Sequence, residues 1–124
     1  MRKVPFAEAE FADAFLAKTT TNLFRRGDAS GPRMAHVRIG KDIVVFQING
    51  VDWVAARSGG VSTFSVPGPG KNWWLLPAGY DYPDELLVVN DHGNHFNWEP
   101  RVDLTLANFI ALLASTEPAF RNIS

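Results

Sequence analysis

The chain has 124 residues, 46% of them hydrophobic and 20% charged, a formal net charge of −1 and no cysteine. That length carries one domain with a sizeable core, spanning residues 1–124, and is too short for two. Near-neutrality argues against a bulk electrostatic grip on nucleic acid, the missing cysteines exclude disulfides and thiolate metal centres, and no apolar run reaches the 18 residues of a membrane-spanning helix.

The N-terminus, Met1-Arg2-Lys3-Val4-Pro5, lacks the apolar core of a signal peptide, so export is expected only without a classical leader. Residues 6–18 predict a helix. Phe6, Ala9, Phe11, Ala12, Phe15 and Leu16 give an apolar face at helical spacing, and Glu8, Glu10 and Asp13 suit its N-terminal half. The triplet Thr19-Thr20-Thr21 ends it. Residues 22–26 read as extended and residues 27–33 as a Gly-Pro loop. Strands are expected over residues 34–39, 42–48 and 51–55, with Gly40-Lys41 and Asn49-Gly50 as the turns between them.

Gly59-Gly60 precedes a strand around Ser62-Thr63-Phe64, and Pro67-Gly68-Pro69-Gly70 is a loop. Residues 73–76, 86–89 and 95–98 predict further strands. Residues 103–115 predict a closing helix, with Asp103 as N-cap and Leu106, Phe109, Ile110 and Leu113 on one face. The outline is an α+β domain: a twisted, split antiparallel β-sheet flanked by N- and C-terminal helices.

Four clusters carry candidate chemistry. Arg25-Arg26 ends a short strand and offers a planar cation for a phosphate or carboxylate; its alternative is a solvated surface pair. Gly59 to Phe64 joins two glycines, which permit close backbone approach, to a hydroxyl and an aromatic; its alternative is a loop entering an edge strand. His95, Asn97 and Glu99 alternate along one strand and so share a face, more polarity than a core strand needs. Asp91-His92-x-x-His95 has the residue types of a metal site, but the spacing is loose and Asn90 and Asp91 read as turn formers, so no metal is expected.

Taken in order, Leu23-Phe24-Arg25, Ser62-Thr63-Phe64 and a late polar strand ending in Glu99 resemble the arginine–serine–glutamate order of ADP-ribosyltransferases. The stretches Gly59 to Phe64, Leu76 to Leu86 and Val88 to Pro100 are similar to those of the small ADP-ribosyltransferase-fold toxins delivered by the bacterial type VI secretion system. The resemblance implies NAD as substrate, with Arg25 as the NAD-binding arginine, Ser62 and Thr63 as the Ser/Thr motif and Phe64 as the aromatic beside it. It implies catalytic roles for Arg25, Ser62, His95 and Glu99. Glu99 lies near the catalytic glutamate of the wider ADP-ribosyltransferase superfamily and is off the pattern of the toxins, which need not have an acid there; the superfamily's Glu-x-Glu or Gln-x-Glu pair is replaced here by Asn97-Trp98-Glu99. The implied activity is ADP-ribosyl transfer to an acceptor, or NAD hydrolysis, in the cytoplasm of a target cell, with an immunity protein as cognate partner and no membrane partner. Two other classes remain open on the residues: a ribonuclease using His95, Arg25 and Ser62, and a non-enzymatic binding module.

Overall fold

The computed structural model describes residues 17–123; the expected helix over residues 6–18 therefore lies almost wholly outside the described residues. Nine strands, one α-helix and a 3-10 turn make up the described chain. In chain order these are β1 (Leu23–Arg26), β2 (Val45–Ile48), β3 (Val51–Val54), β4 (Val61–Phe64), β5 (Trp73–Leu76), β6 (Leu86–His92), β7 (His95–Pro100), β8 (Leu104–Thr105), α1 (Leu106–Thr116), a 3-10 turn (Glu117–Ala119) and β9 (Arg121–Asn122). They form a six-stranded sheet in the order β6-β7-β4-β1-β5-β9 and a three-stranded sheet in the order β2-β3-β8, and every ladder in both is antiparallel. The fold is α+β with a C-terminal helix.

Asn49 and Gly50 both take positive φ, 51° and 79°, which is what a tight turn between right-twisted strands requires. β2 and β3 accordingly pair from Val45↔Val54 to Ile48↔Val51. β8 extends this sheet and leads directly into α1, whose Phe109 and Leu113 are fully buried. The main sheet packs Leu23, Val61, Leu76, Leu86 and Trp98 into the same core.

The β4–β7 pairing sits at the centre. Gly60 precedes β4 so closely against β7 that a Cβ there would lie 1.7 Å from the Trp98 carbonyl oxygen. Trp98 is fully buried; its indole N–H donates to the Thr63 hydroxyl at 3.0 Å, and that hydroxyl donates to the Phe96 carbonyl at 2.9 Å. These bonds lock the register Val61↔Trp98, Ser62↔Asn97, Thr63↔Phe96, Phe64↔His95.

Two expectations are corrected. Residues 34–39 form no strand. The chain turns at Met34, which is fully buried, after Arg33 at φ 58°, and Ile39 makes only an isolated bridge to Ile43. The Arg38 N–H donates to the Asp42 carboxylate at 2.8 Å, so a side chain takes the donor a ladder would have used. The closing helix begins at Leu106, not Asp103. Asp103 accepts from the Ala56 N–H at 2.8 Å, and Thr105 caps the helix by accepting from the Asn108 N–H at 3.1 Å.

The tight approach at Gly60 gives a direct test. Gly60→Ala is expected to lower stability by roughly 3 kcal/mol or more, since the added methyl meets backbone and not a movable side chain. Gly31→Ala, where nothing lies within 4 Å of the added methyl, should leave the thermal midpoint nearly unchanged.

Candidate active site

Along β4, Ser62 and Phe64 alternate with buried Val61 and Thr63; along β7, His95, Asn97 and Glu99 alternate with Phe96, Trp98 and Pro100. Cross-strand partners share a face, so the pairs Ser62↔Asn97 and Phe64↔His95 bring five of these side chains to one surface of the sheet. The alternation of His95, Asn97 and Glu99 is present as the sequence predicts.

The Ser62 hydroxyl lies 2.8 Å from His95 Nε2, and His95 Nδ1 lies 2.5 Å from Asp91 Oδ1. The His95 hydrogen bond is the main reason the Asp91 carboxyl is held below the usual carboxylate range. An ionised carboxylate on Nδ1 requires the proton there; in the neutral ring this leaves Nε2 as acceptor and makes Ser62 the donor. The three groups form a polarised serine–histidine–aspartate chain. Phe64 stands beside it, its ring centroid 5.5 Å from that of His95 and 6.3 Å from that of Trp73.

Asp91 is the member that sequence reasoning missed. It reads as a turn former because it adjoins Asn90 and precedes His92-Gly93. A register shift between Asn90 and His92 instead makes it the extra residue of a β-bulge, which re-aims its side chain onto His95. Asn90 does shape the hairpin: its side-chain amide donates to the Gly93 and His95 carbonyls at 3.0 and 2.9 Å.

Glu99 occupies the far end of the same face, with a side chain only 12% exposed. One carboxylate oxygen accepts from Arg57 Nε at 3.0 Å and the other from the Asn97 amide at 3.0 Å. Arg57 is a second residue the sequence did not single out. It sits on the positive-φ side of the map at 58°, a conformation costly for a residue with a Cβ, and its N–H donates to the Pro100 carbonyl at 2.8 Å. Among the described residues its two terminal guanidinium nitrogens have no hydrogen-bond partner.

Arg25 and Thr63 are placed differently from this group. Phe24 is the register partner of Phe64, so the pleat sends Arg25 to the face opposite Phe64 and Ser62. Its guanidinium is taken up by backbone: Nε donates to the Pro32 carbonyl at 2.9 Å, Nη1 to the Ser62 carbonyl at 2.7 Å and Nη2 to the Arg33 carbonyl at 2.9 Å. Burial pulls its pKa below the ordinary range, while Asp42 and Glu117 act the other way. Thr63 is fully buried and its hydroxyl is committed to Trp98 and Phe96. A cleft of about 170 Å³ adjoins Arg25, lined by His36, Arg38, Asp42, Val61 and Ser62. It has room for a fragment the size of a phosphate or a ribose, not for a whole dinucleotide.

The loop that Arg25 grips is itself built around a carboxylate. Asp28 accepts from the Ser30 hydroxyl at 2.7 Å, the Ser30 and Gly31 N–H groups at 2.9 and 3.1 Å, and Arg33 at 2.9 Å. The Ser30 hydroxyl, followed by Arg33, holds the Asp28 carboxyl far below its ordinary value of 3.8.

A family model described as the Tse2 ADP-ribosyltransferase toxin matches residues 18–120, most of the chain. No curated protein and no solved structure gives a significant match.

Two measurements follow from the Arg25 clasp. Arg25→Lys keeps the charge but cannot reach three divergent carbonyls; the thermal midpoint should fall, by the equivalent of roughly 1.5–3 kcal/mol. Because the folded state lowers the Asp28 pKa, its contribution is present above pH ~4 and is lost as the pH falls below the unfolded value. Urea midpoints measured from pH 7 down to pH 2.5 should therefore decline less steeply in Asp28→Asn than in the parent.

Proposed function

The chain belongs to the Tse2 ADP-ribosyltransferase toxin family, and from that premise we propose that it consumes NAD on the β4–β7 face, transferring ADP-ribose to an acceptor in the cytoplasm of a target bacterium. The observation that carries this reading is the Ser62–His95–Asp91 chain, with Glu99 and Phe64 on the same face.

Departure of nicotinamide leaves positive charge on the ribose. Glu99 is the anionic group on this face suited to oppose it, and such electrostatic stabilisation is among the largest catalytic terms. Arg57 neutralises Glu99 as the chain stands, and its open terminal nitrogens suit a phosphate of the dinucleotide. In this reading the phosphates draw Arg57 away as NAD binds, and the carboxylate regains its full charge beside the ribose. Phe64 offers an aromatic face to the nicotinamide. Ser62, held by His95, orients the nicotinamide ribose, and His95 is the acid/base group within reach of it.

Arg25 and Thr63 enter the proposal as supports for Ser62. Arg25 fixes the Ser62 carbonyl and Thr63 fixes the strand from the core side, so both act on NAD through the position of β4. An immunity protein that occludes this face is the partner the family implies.

The deciding experiment is incubation with labelled NAD, with and without bacterial lysate. Label transferred to protein or nucleic acid supports the transferase; free ADP-ribose supports hydrolysis; untouched NAD in both reactions overturns the proposal and favours the binding module, or the ribonuclease if RNA is degraded. Ser62→Ala and His95→Ala should retain the fold and lose about two orders of magnitude or more in turnover. Glu99→Gln should cost about two to three orders of magnitude in kcat with little change in KM. Arg57→Ala should instead raise KM for NAD by roughly tenfold or more, the loss of one charge-assisted contact. Expression in bacterial cytoplasm should arrest growth for the parent and not for His95→Ala.

A further inference from the structure

The turn end of the β6–β7 hairpin gathers one donor atom each from Asp91, His92 and His95, all within 4.8 Å of one another. Both imidazoles direct Nδ1 at the same carboxylate oxygen: Asp91 Oδ1 lies 2.9 Å from that of His92 and 2.5 Å from that of His95. The two rings stack, with centroids 5.0 Å apart and planes inclined by 26°. We propose that these three residues form a binding site for a borderline divalent ion of the Zn²⁺ type, and that the ion switches off the Ser62–His95 pair.

Sequence spacing alone does not suggest this convergence. Adjacent residues on a regular strand point to opposite faces, so Asp91 and His92 belong on opposite sides. The bulge between Asn90 and His92 abolishes that alternation and sets Asp91 beside both histidines, while His92 is the register partner of His95. The Asn90 amide ties the turn from both sides, so the three donors are carried on a preorganised hairpin.

The chemistry of the donor set selects the ion. Two imidazole nitrogens and one carboxylate oxygen suit Zn²⁺, with water in the fourth position, and do not suit Mg²⁺ or Ca²⁺, which take oxygen ligands. Tetrahedral Zn²⁺ with bonds of about 2.0–2.1 Å needs donors roughly 3.3 Å apart. Both nitrogen–oxygen separations, 2.9 Å to His92 and 2.5 Å to His95, must open to reach this; the side chains of His92 and Asp91, 77% and 39% exposed, have the freedom to move.

The coupling to the site follows from the imidazole proton. Without the ion, Asp91 fixes the proton on Nδ1, and Nε2 accepts from Ser62. With the ion on Nδ1, the neutral ring carries its proton on Nε2, so that nitrogen donates and Ser62 must accept. His95 then has no lone pair with which to take a proton from Ser62 or from a group that Ser62 orients. This second half of the proposal rests on the catalytic reading given above; the binding half does not.

The test separates the two. The full chain, stripped with a chelator, is titrated with ZnCl₂ in competition with a chromogenic zinc indicator. One ion per chain is expected. His92→Ala should weaken it by at least roughly tenfold, the least that loss even of a supporting group costs a metal site. His36→Ala, which removes the remaining histidine of the chain, should change nothing, and MgCl₂ should not compete. Asp91→Asn serves as a second loss-of-binding variant should His92→Ala show a lowered thermal midpoint in chelator. Absence of stoichiometric binding, or equal affinity in parent and His92→Ala, overturns the site. Nitrogen NMR of the His95 ring reads the switch: Nε2 should change from acceptor to N–H on adding ZnCl₂, and an unchanged signal with the ion bound overturns it. NAD turnover should be inhibited by ZnCl₂ in the parent and resist roughly tenfold more in His92→Ala, matching the affinity change; equal inhibition overturns the coupling. If the parent leaves NAD untouched even in chelator, the function proposal fails while the binding and NMR results still decide the ion site.

Discussion

The pairing of β4 with β7 is the constraint on which the rest of the site depends. A strand has a side-chain period of two, so a slip of one residue would carry Ser62 and Phe64 into the core and expose Val61 and Thr63. Three contacts resist that slip together. Gly60 lets the two backbones approach at Trp98, the Trp98 indole bonds Thr63, and Thr63 bonds the Phe96 carbonyl. The Trp98–Thr63 bond is buried, where an unmade hydrogen bond costs most. The polar face is thus registered from behind by an apolar one, and the same Thr63 that never meets solvent decides which atoms do.

Parts of this were legible in residues alone. The Asn49-Gly50 turn follows from its φ requirements, α1 from the spacing of Phe109 and Leu113, and the polar face of β7 from plain alternation. What escaped were competitions between side chains and backbone. Asp42 captured the Arg38 amide and removed a strand; Ala56 captured Asp103 and moved a helix cap two residues onward. Arg25 illustrates the same limit at the candidate site. Its identity and strand position are readable, but three carbonyls distributed over two remote segments claim its donors, and sequence order carries no sign of them. Asp91 was hidden for a geometric reason, since a bulge changes the parity on which face assignments rest.

The charged groups on the polar face are arranged as two separate pairs, Asp91 with His95 and Glu99 with Arg57. In each, an acid is held by a partner that determines what the other end of the pair can do. Asp91 fixes the histidine proton and thereby the direction of the hydrogen bond to Ser62. Arg57 is more exposed than Glu99, 55% against 12%, so in the proposed reading the cation is the partner that leaves when a competing anion arrives. Asn97, on the same strand, holds the carboxylate independently of Arg57.

The placement of β9 bears on the order in which the molecule is assembled. Arg121 and Asn122 pair with Leu75 and Trp74, closing an edge of the six-stranded sheet with residues that follow the only α-helix described. During synthesis β5 therefore waits, its outer hydrogen-bonding groups open, until nearly fifty further residues have emerged and α1 has formed. β4 waits likewise for β7. A nascent chain with β1, β4 and β5 made but β7 and β9 still to come offers bare strand edges and no completed polar face, the kind of exposed edge that makes a partly folded chain prone to aggregate.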